Sequence, residues 1–200
     1  MPCTSPKKCW VNGVHESGKD RYVFRNPKNG AEEQLVPCGK CLSCQIDKSK
    51  EWATRGFHEA QCHTENCFIT LTYNEGNLPD NNSLNPDHLR NFFKLLRYHI
   101  KPLKIKYLAA GEYGKATKEN GYIARPHFHI CIFGFSPVDK KYLFTNKYGD
   151  PVYTSEFISK CWQNKGYITV GDLTYRTVAY TARYTVKKIV DKEERIQEDY

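Results

Sequence analysis

His127-Phe128-His129-Ile130-Cys131-Ile132-Phe133-Gly134 is the stretch on which the reading of this fold turns. In an extended strand successive side chains point to opposite faces, so His127 and His129 share one side while Phe128, Ile130 and Ile132 share the other. The apolar side is suited to packing under helices, and the imidazole side is expected to stay open. Cys67-Phe68-Ile69-Thr70-Leu71-Thr72-Tyr73, β-branched and aromatic, reads as a neighbouring strand, as does 105–113, with a shorter one at 167–170. Apolar residues at helical spacing predict helices over 46–61 (Ile46, Trp52, Ala53, Phe57, Ala60), 86–100 (Leu89, Phe92, Phe93, Leu96), 154–163 and 174–190. Pro86 opens the second of these and Pro102 ends it, while 114–124 reads as a hairpin-like excursion. Strands alternating with helices in this order give an α+β fold. We expect an antiparallel sheet with helices packed on one face, ferredoxin-like or RRM-like.

Three residue sets on that frame carry chemistry. Two imidazoles at i and i+2 of a strand form a ready pair of metal ligands. If 105–113 pairs beside them, Glu112 completes a two-histidine, one-carboxylate set with positions left for substrate oxygens, which suits Mg²⁺ or Mn²⁺. Tyr180, Tyr184 and Lys188 follow at i, i+4, i+8 and line one face of the last helix, while Val178, Ala182, Val186 and Ile189 form another stripe that can bury against the sheet. Arg176, Arg183, Lys187 and Lys188 make that helix basic. A phenol is a weak nucleophile at its ordinary pKa of about 10. It needs a cation to favour the phenolate and a metal to polarise phosphorus.

Composition narrows the partner. The 200 residues are 40% hydrophobic and 26% charged, which excludes wholesale disorder. A net charge of +8 favours a polyanion, and the segment from Arg90 to Lys106 contributes Arg90, Lys94, Arg97, Lys101, Lys104 and Lys106 with no acid. No apolar run is long enough for a bilayer, no signal-peptide core follows Met1, and no GxxxxGK[ST] phosphate loop occurs, which excludes an ATPase motor in this chain. Nine cysteines are an odd total. Cys38-Gly39-Lys40-Cys41-Leu42-Ser43-Cys44 is a CxxCxxC run, whose tight spacing favours a structural Zn²⁺, with Cys3 or Cys9 as the fourth ligand, over metal-free thiols, an iron–sulfur cluster or disulfides. Cys62, Cys67, Cys131 and Cys161 are isolated and expected to be small buried hydrophobes. Residues 1–45 therefore read as a loop-rich, zinc-clipped extension and 46–200 as the main domain. Residues 191–200 are acidic and helix-like without a stop signal, so the native chain is expected to continue.

Taken in order, Phe68-Ile69-Thr70-Leu71-Thr72-Tyr73, Gly111-Glu112-Tyr113-Gly114, Arg125-Pro126-His127-Phe128-His129 and Tyr180-xxx-Tyr184-xxx-Lys188 resemble the motifs of the HUH rolling-circle replication initiators. The paired tyrosines resemble the two-tyrosine branch. The Pro37-to-Cys44 run beside Trp52 and Arg55 is similar to the initiators of gokushoviruses, phages with single-stranded DNA. The resemblance implies an HUH endonuclease fold in which His127, His129 and Glu112 bind the catalytic Mg²⁺ or Mn²⁺. It implies that Tyr180 and Tyr184 alternate as nucleophiles, that Lys188 orients the phosphate, and that Arg125, Arg183 and Lys187 contact DNA. It further implies nicking and rejoining of single-stranded origin DNA through a 5′-phosphotyrosine, in the host bacterial cytoplasm, away from membranes and together with the host replication machinery. A rival reading is a non-catalytic single-stranded nucleic-acid-binding module on an RRM-like sheet, to which 14 Tyr and 10 Phe would offer stacking surfaces.

Overall fold

The computed structural model describes residues 2–113 and 125–187. The chain divides into two compact units, Met1–Lys48 and Ser49–Tyr200. In the first, β1 (Lys7–Val14) pairs antiparallel with β2 (Asp20–Val23) on one side and β3 (Glu33–Val36) on the other. These strands stand where a loop-rich segment is expected from the sequence. The reason is exposure: of the strand residues only Cys9 and Trp10 are buried, so the sheet leaves little apolar alternation to read. The unit closes with the first turns of α1 (Leu42–Gln61), which starts inside the cysteine run rather than after it.

The second unit is built on β4 (Asn66–Thr72), α2 (Pro86–His99), β5 (Lys106–Tyr113), β6 (Pro126–Phe133), β7 (Lys141–Thr145), β8 (Pro151–Thr154), α3 (Glu156–Cys161), β9 (Ile168–Gly171) and α4 (Tyr175–Lys187). Six strands form one sheet in the order β5-β6-β4-β9-β8-β7, with every pairing antiparallel. The expected α+β class with an antiparallel sheet is what the structure shows. The β7–β8 hairpin is an element the sequence analysis missed; its turn is held by Asn146, whose side-chain oxygen accepts from the Tyr148 and Asp150 amides, with Gly149 at φ +85°.

Helix boundaries follow local chemistry. The Asn85 side chain accepts from the Asp87 amide and Pro86 sits in the first turn of α2. Ser155 caps α3 by accepting from the Ile158 amide. One sheet face, formed by Cys67, Ile69, Leu71, Phe128, Ile130 and Ile132, packs against Phe92, Phe93 and Leu96 of α2 and Ile158 and Cys161 of α3, with Trp162 beside them. Each of these side chains contributes on the order of 1.5–3 kcal/mol by leaving water.

The opposite face carries His127 and His129, and it is covered where an open surface was expected. Val178 and Ala182 of α4 are fully buried, and Val178 clusters with Cys131, Phe133 and Ala60 of α1. Gly56 permits this approach: a Cβ there would lie 2.6 Å from Val178 Cγ1. The apolar stripe of α4 draws it onto the sheet, and its polar face is thereby carried to the histidines. The 114–124 excursion and the extension of the last helix past Lys187 lie outside the described residues.

Candidate active site

Strand register assembles the first cluster. Glu112 on β5 stands directly opposite His127 on β6, and His129 lies between Ala110 on β5 and Thr70 on β4. Glu112 Oε2 is 3.2 Å from His127 Nε2 and 2.8 Å from His129 Nε2. The far ring nitrogens are held from behind. His127 Nδ1 donates to the Arg125 carbonyl at 2.9 Å, and His129 Nδ1 lies 3.2 Å from Thr70 Oγ1. A carbonyl oxygen only accepts, so His127 Nδ1 carries a proton and Nε2 is the nitrogen turned to the carboxylate. Ligating histidines are commonly oriented in this way.

The three donor atoms suit a divalent cation. They lie within 4.8 Å of one another. For ligands about 2.1 Å from an octahedral ion, adjacent donors are about 3 Å apart, and the two carboxylate–imidazole separations are of that size. One carboxylate and two imidazoles leave half of an octahedron for other oxygens.

α4 supplies the other half of the site. Tyr180 Oη donates to Glu112 Oε2 at 3.0 Å. The Tyr180 ring meets His129 edge-on at 4.8 Å between centroids, Tyr184 lies 5.8 Å from His129, and the two tyrosine rings are 5.0 Å apart. Arg183 is exposed, its guanidinium 5.8 Å from the Tyr180 ring and 5.5 Å from that of Tyr184. Arg125 is anchored by Glu75 at 2.9 Å and by the Tyr73 carbonyl at 3.4 Å. Lys187 ends the described part of α4, and Lys188 lies outside the described residues. Two contributors were given no role in the sequence analysis: Thr70, and Phe68, whose ring stacks 5.7 Å from His129. Both sit at alternate positions of β4 on the histidine face, so the strand's period of two was the signal for them.

The electrostatics are those of an anion hemmed in by proton donors. Burial works to raise the Glu112 carboxyl, but hydrogen bonds from His127, His129, Tyr184 and Tyr180 outweigh it and hold the group well below the carboxylate range. Burial lowers both imidazoles; for His127 the bonds to Glu112 and the Arg125 carbonyl reverse the sign, whereas His129 stays lowered. Burial, the neighbouring Tyr184 and the Glu112 charge all push the Tyr180 phenol up.

A second cluster lies in the first unit. The sulfurs of Cys3, Cys38, Cys41 and Cys44 are within 4.8 Å of one another, with 4.0 Å from Cys38 to Cys44 and 3.7 Å from Cys41 to Cys3. Gly39, at φ +74°, turns the chain between the first two cysteines of the run. Amides of Lys40 and Cys41 donate to Cys38 Sγ at 3.4 and 3.2 Å, and the Cys38 amide donates to Cys3 Sγ at 3.3 Å. Amides of Cys44 and Thr4 bring the Cys41 thiol down to about 5. Of the two candidates for a fourth member, Cys3 is in the cluster and Cys9 is buried in β1. Cys67, Cys131 and Cys161 are buried as expected, but Cys62 is exposed just past α1.

Fold and site together define an antiparallel-sheet protein in which a carboxylate–imidazole cluster that could hold a cation faces paired phenols on a basic helix. A family model described as "Replication-associated protein ORF2/G2P" matches residues 66–189, from β4 through α4, and the chain belongs to that family. It is 38% identical over 191 residues to replication-associated protein ORF2 of Spiroplasma virus 4, covering 92% of this chain and 58% of the relative. It is 34% identical over 203 residues to replication-associated protein VP4 of Bdellovibrio phage phiMH2K, covering 94% and 59%. Identity to replication-associated protein ORF4 of Chlamydia phage 1 is 37% over 163 residues, covering 78% and 39%. The chain thus spans less than two thirds of the length of these relatives. No solved structure matches it. The resemblance to phage replication initiators drawn from the motifs is borne out by the family.

Proposed function

We propose that this chain is an HUH endonuclease that initiates rolling-circle replication by nicking and rejoining single-stranded DNA. The observation that carries this reading is the contact of Tyr180 Oη with Glu112 Oε2 at 3.0 Å, on the same oxygen that faces both imidazoles. A nucleophile and a cation-binding carboxylate are thereby presented to one phosphate. Glu112, His127 and His129 would hold Mg²⁺ or Mn²⁺. The all-sulfur set of Cys3, Cys38, Cys41 and Cys44 suits Zn²⁺ in a structural role. A catalytic ion held there would supply Lewis acidity at the scissile phosphate and neutralise charge beside the phenols.

The chain's own residues do the remainder. The Tyr180–Glu112 hydrogen bond favours the neutral phenol, and a cation held by Glu112, His127 and His129 would weaken it. Tyr180 or Tyr184 attacks phosphorus in line. The new bond joins Oη to the 5′-phosphate and the bond to the 3′ oxygen breaks. The phenol proton leaves to solvent and the departing oxygen takes one up as a 3′-hydroxyl. Arg183, with its guanidinium 5.8 and 5.5 Å from the two rings, offsets charge on the phosphate, and Arg125 binds the strand beside His127. Lys187 and Lys188 add positive charge to the sequence that follows Tyr184. The second tyrosine cuts the regenerated origin, and the released 3′-hydroxyl attacks the first phosphotyrosine to close a circle. The host polymerase extends the free 3′ end between these events, in the host cytoplasm.

The test is incubation with single-stranded origin DNA and Mn²⁺ followed by denaturing electrophoresis. A covalent protein–DNA adduct is expected from the wild type and from each single variant, Tyr180→Phe and Tyr184→Phe, and none from the double variant or from His127→Ala. Absence of an adduct in every form, with DNA binding intact, would favour the non-catalytic binding module instead.

A further inference from the structure

The first unit has too little apolar core to account for its own fold. Among its described residues, the only buried apolar side chains are Cys9, Trp10 and Cys44. The strand positions of β2 and β3 are exposed apart from Val23 and Val36, which are half-buried. Val14, Tyr22, Phe24 and Leu35 are all exposed. Segments of about 40–50 residues normally need a disulfide, a metal or a partner to fold. Every cysteine here is a free thiol, so no disulfide serves.

What the unit has in place of a core is the cysteine cluster. For ligands about 2.3 Å from a tetrahedral ion, neighbouring sulfurs lie about 3.8 Å apart. The observed 3.7 and 4.0 Å separations fit that spacing and are far from a disulfide's roughly 2.05 Å. The sulfurs are also too close to bracket a cluster of several irons. A divalent ion with four thiolates carries a net charge of −2. The amides of Cys38, Lys40 and Cys41, which already point at sulfur, are placed to offset it. The ligands are distributed in a telling way. Cys3 precedes β1, whereas Cys38, Cys41 and Cys44 follow β3 and enter α1. The cluster therefore ties the two ends of the three-stranded sheet together.

Resting on the zinc reading of this cluster, we infer that Zn²⁺ held by Cys3, Cys38, Cys41 and Cys44 acts as the core of the N-terminal unit, so that the β1–β3 sheet folds only when the ion is bound. Loading releases thiol protons, and the unfolded segment becomes the sheet in the same step. The β4–β9 sheet has its own apolar core and does not depend on this ion.

The experiment uses the full chain. Elemental analysis of purified protein should give one zinc per chain. Hydrogen exchange read by mass spectrometry should then show amide protection across 7–36 lost when a zinc-selective chelator is added with Mg²⁺ in excess, and regained on adding Zn²⁺. Protection across 66–72 and 126–133 should persist throughout. Cys41→Ser should arrive without zinc and without protection at 7–36, while Cys62→Ser, outside the cluster, should keep both. Protein that binds no zinc, or holds iron instead, overturns the zinc reading. Zinc that is removed with protection at 7–36 unchanged overturns the inference about folding and leaves the zinc reading standing.

Discussion

Replacing Thr70 with Val tests whether the support behind the histidines matters as much as the ligands. Both side chains are β-branched, so β4 keeps its shape and the change removes the hydroxyl that faces His129 Nδ1 at 3.2 Å. His129 is 5% exposed, so water is a poor substitute for that partner. Leaving a buried polar atom without its bond costs about 1–3 kcal/mol. For Nε2 to bind a cation, Nδ1 must carry the proton and donate it to Thr70. The lost bond therefore falls on the ligating tautomer. At 1.4 kcal/mol per factor of ten, the loss corresponds to roughly a 10–100-fold weaker cation affinity, the size typical of such outer partners. The assay is a calorimetric titration of Mn²⁺ into wild type and Thr70→Val, with urea unfolding of the metal-free forms alongside. Mn²⁺ affinity unchanged to within about twofold would refute the reasoning, because the bond would then have no part in holding the ligand.

Three further outcomes are expected. Gly166→Ala should destabilise the second unit by about 1–3 kcal/mol or more, read by urea unfolding, because a Cβ would come 2.7 Å from the Tyr73 carbonyl carbon and closer still to the Thr72 oxygen and Asn74 nitrogen. Asp139→Asn should cost about 1–2 kcal/mol at neutral pH by weakening its bonds from the Ser155 hydroxyl and the Phe157 amide. Burial raises the Asp139 carboxyl but those bonds prevail and lower it, so its stabilisation is complete above the unfolded value of about 3.9 and is lost as pH falls through the folded one; stability curves of variant and wild type should converge in acid. Arg183→Ala should weaken single-stranded DNA binding and reduce its salt slope by about 0.7, measured by fluorescence anisotropy over a salt series, with no loss of thermal stability because the side chain is exposed.

Legibility in the sequence followed burial. The 127–134 stretch could be read because β6 has a fully apolar side, and the α2 stripe for the same reason. Glu112, His127, His129, Tyr180 and Tyr184 were identified individually by residue type and spacing. Their convergence depended on strand register and on where α4 docks, neither of which a linear pattern contains. The β1–β3 sheet was missed because exposed strands carry no alternation, and the β7–β8 hairpin because β7 is exposed along its whole length. Thr70 escaped notice for another reason. A threonine in a strand needs no explanation until its hydroxyl is seen against a particular nitrogen.

Strand β6 works as a partition. Phe128, Ile130 and Ile132 answer only to the α2–α3 side, while His127 and His129 answer only to the side roofed by α4. A conservative change at position 130 can loosen or tighten the packing without altering the Glu112–His127–His129 cluster, and a change at 127 or 129 can dismantle that cluster without emptying the core. Neighbouring codons in one short strand are therefore free to drift under separate pressures, one for persistence of the fold and one for the carboxylate–imidazole cluster. A library randomised over 126–133 should show soluble yield sensitive at 128, 130 and 132 on one face and at 131 and 133, which pack under α4, on the other, with cation binding sensitive at 127 and 129.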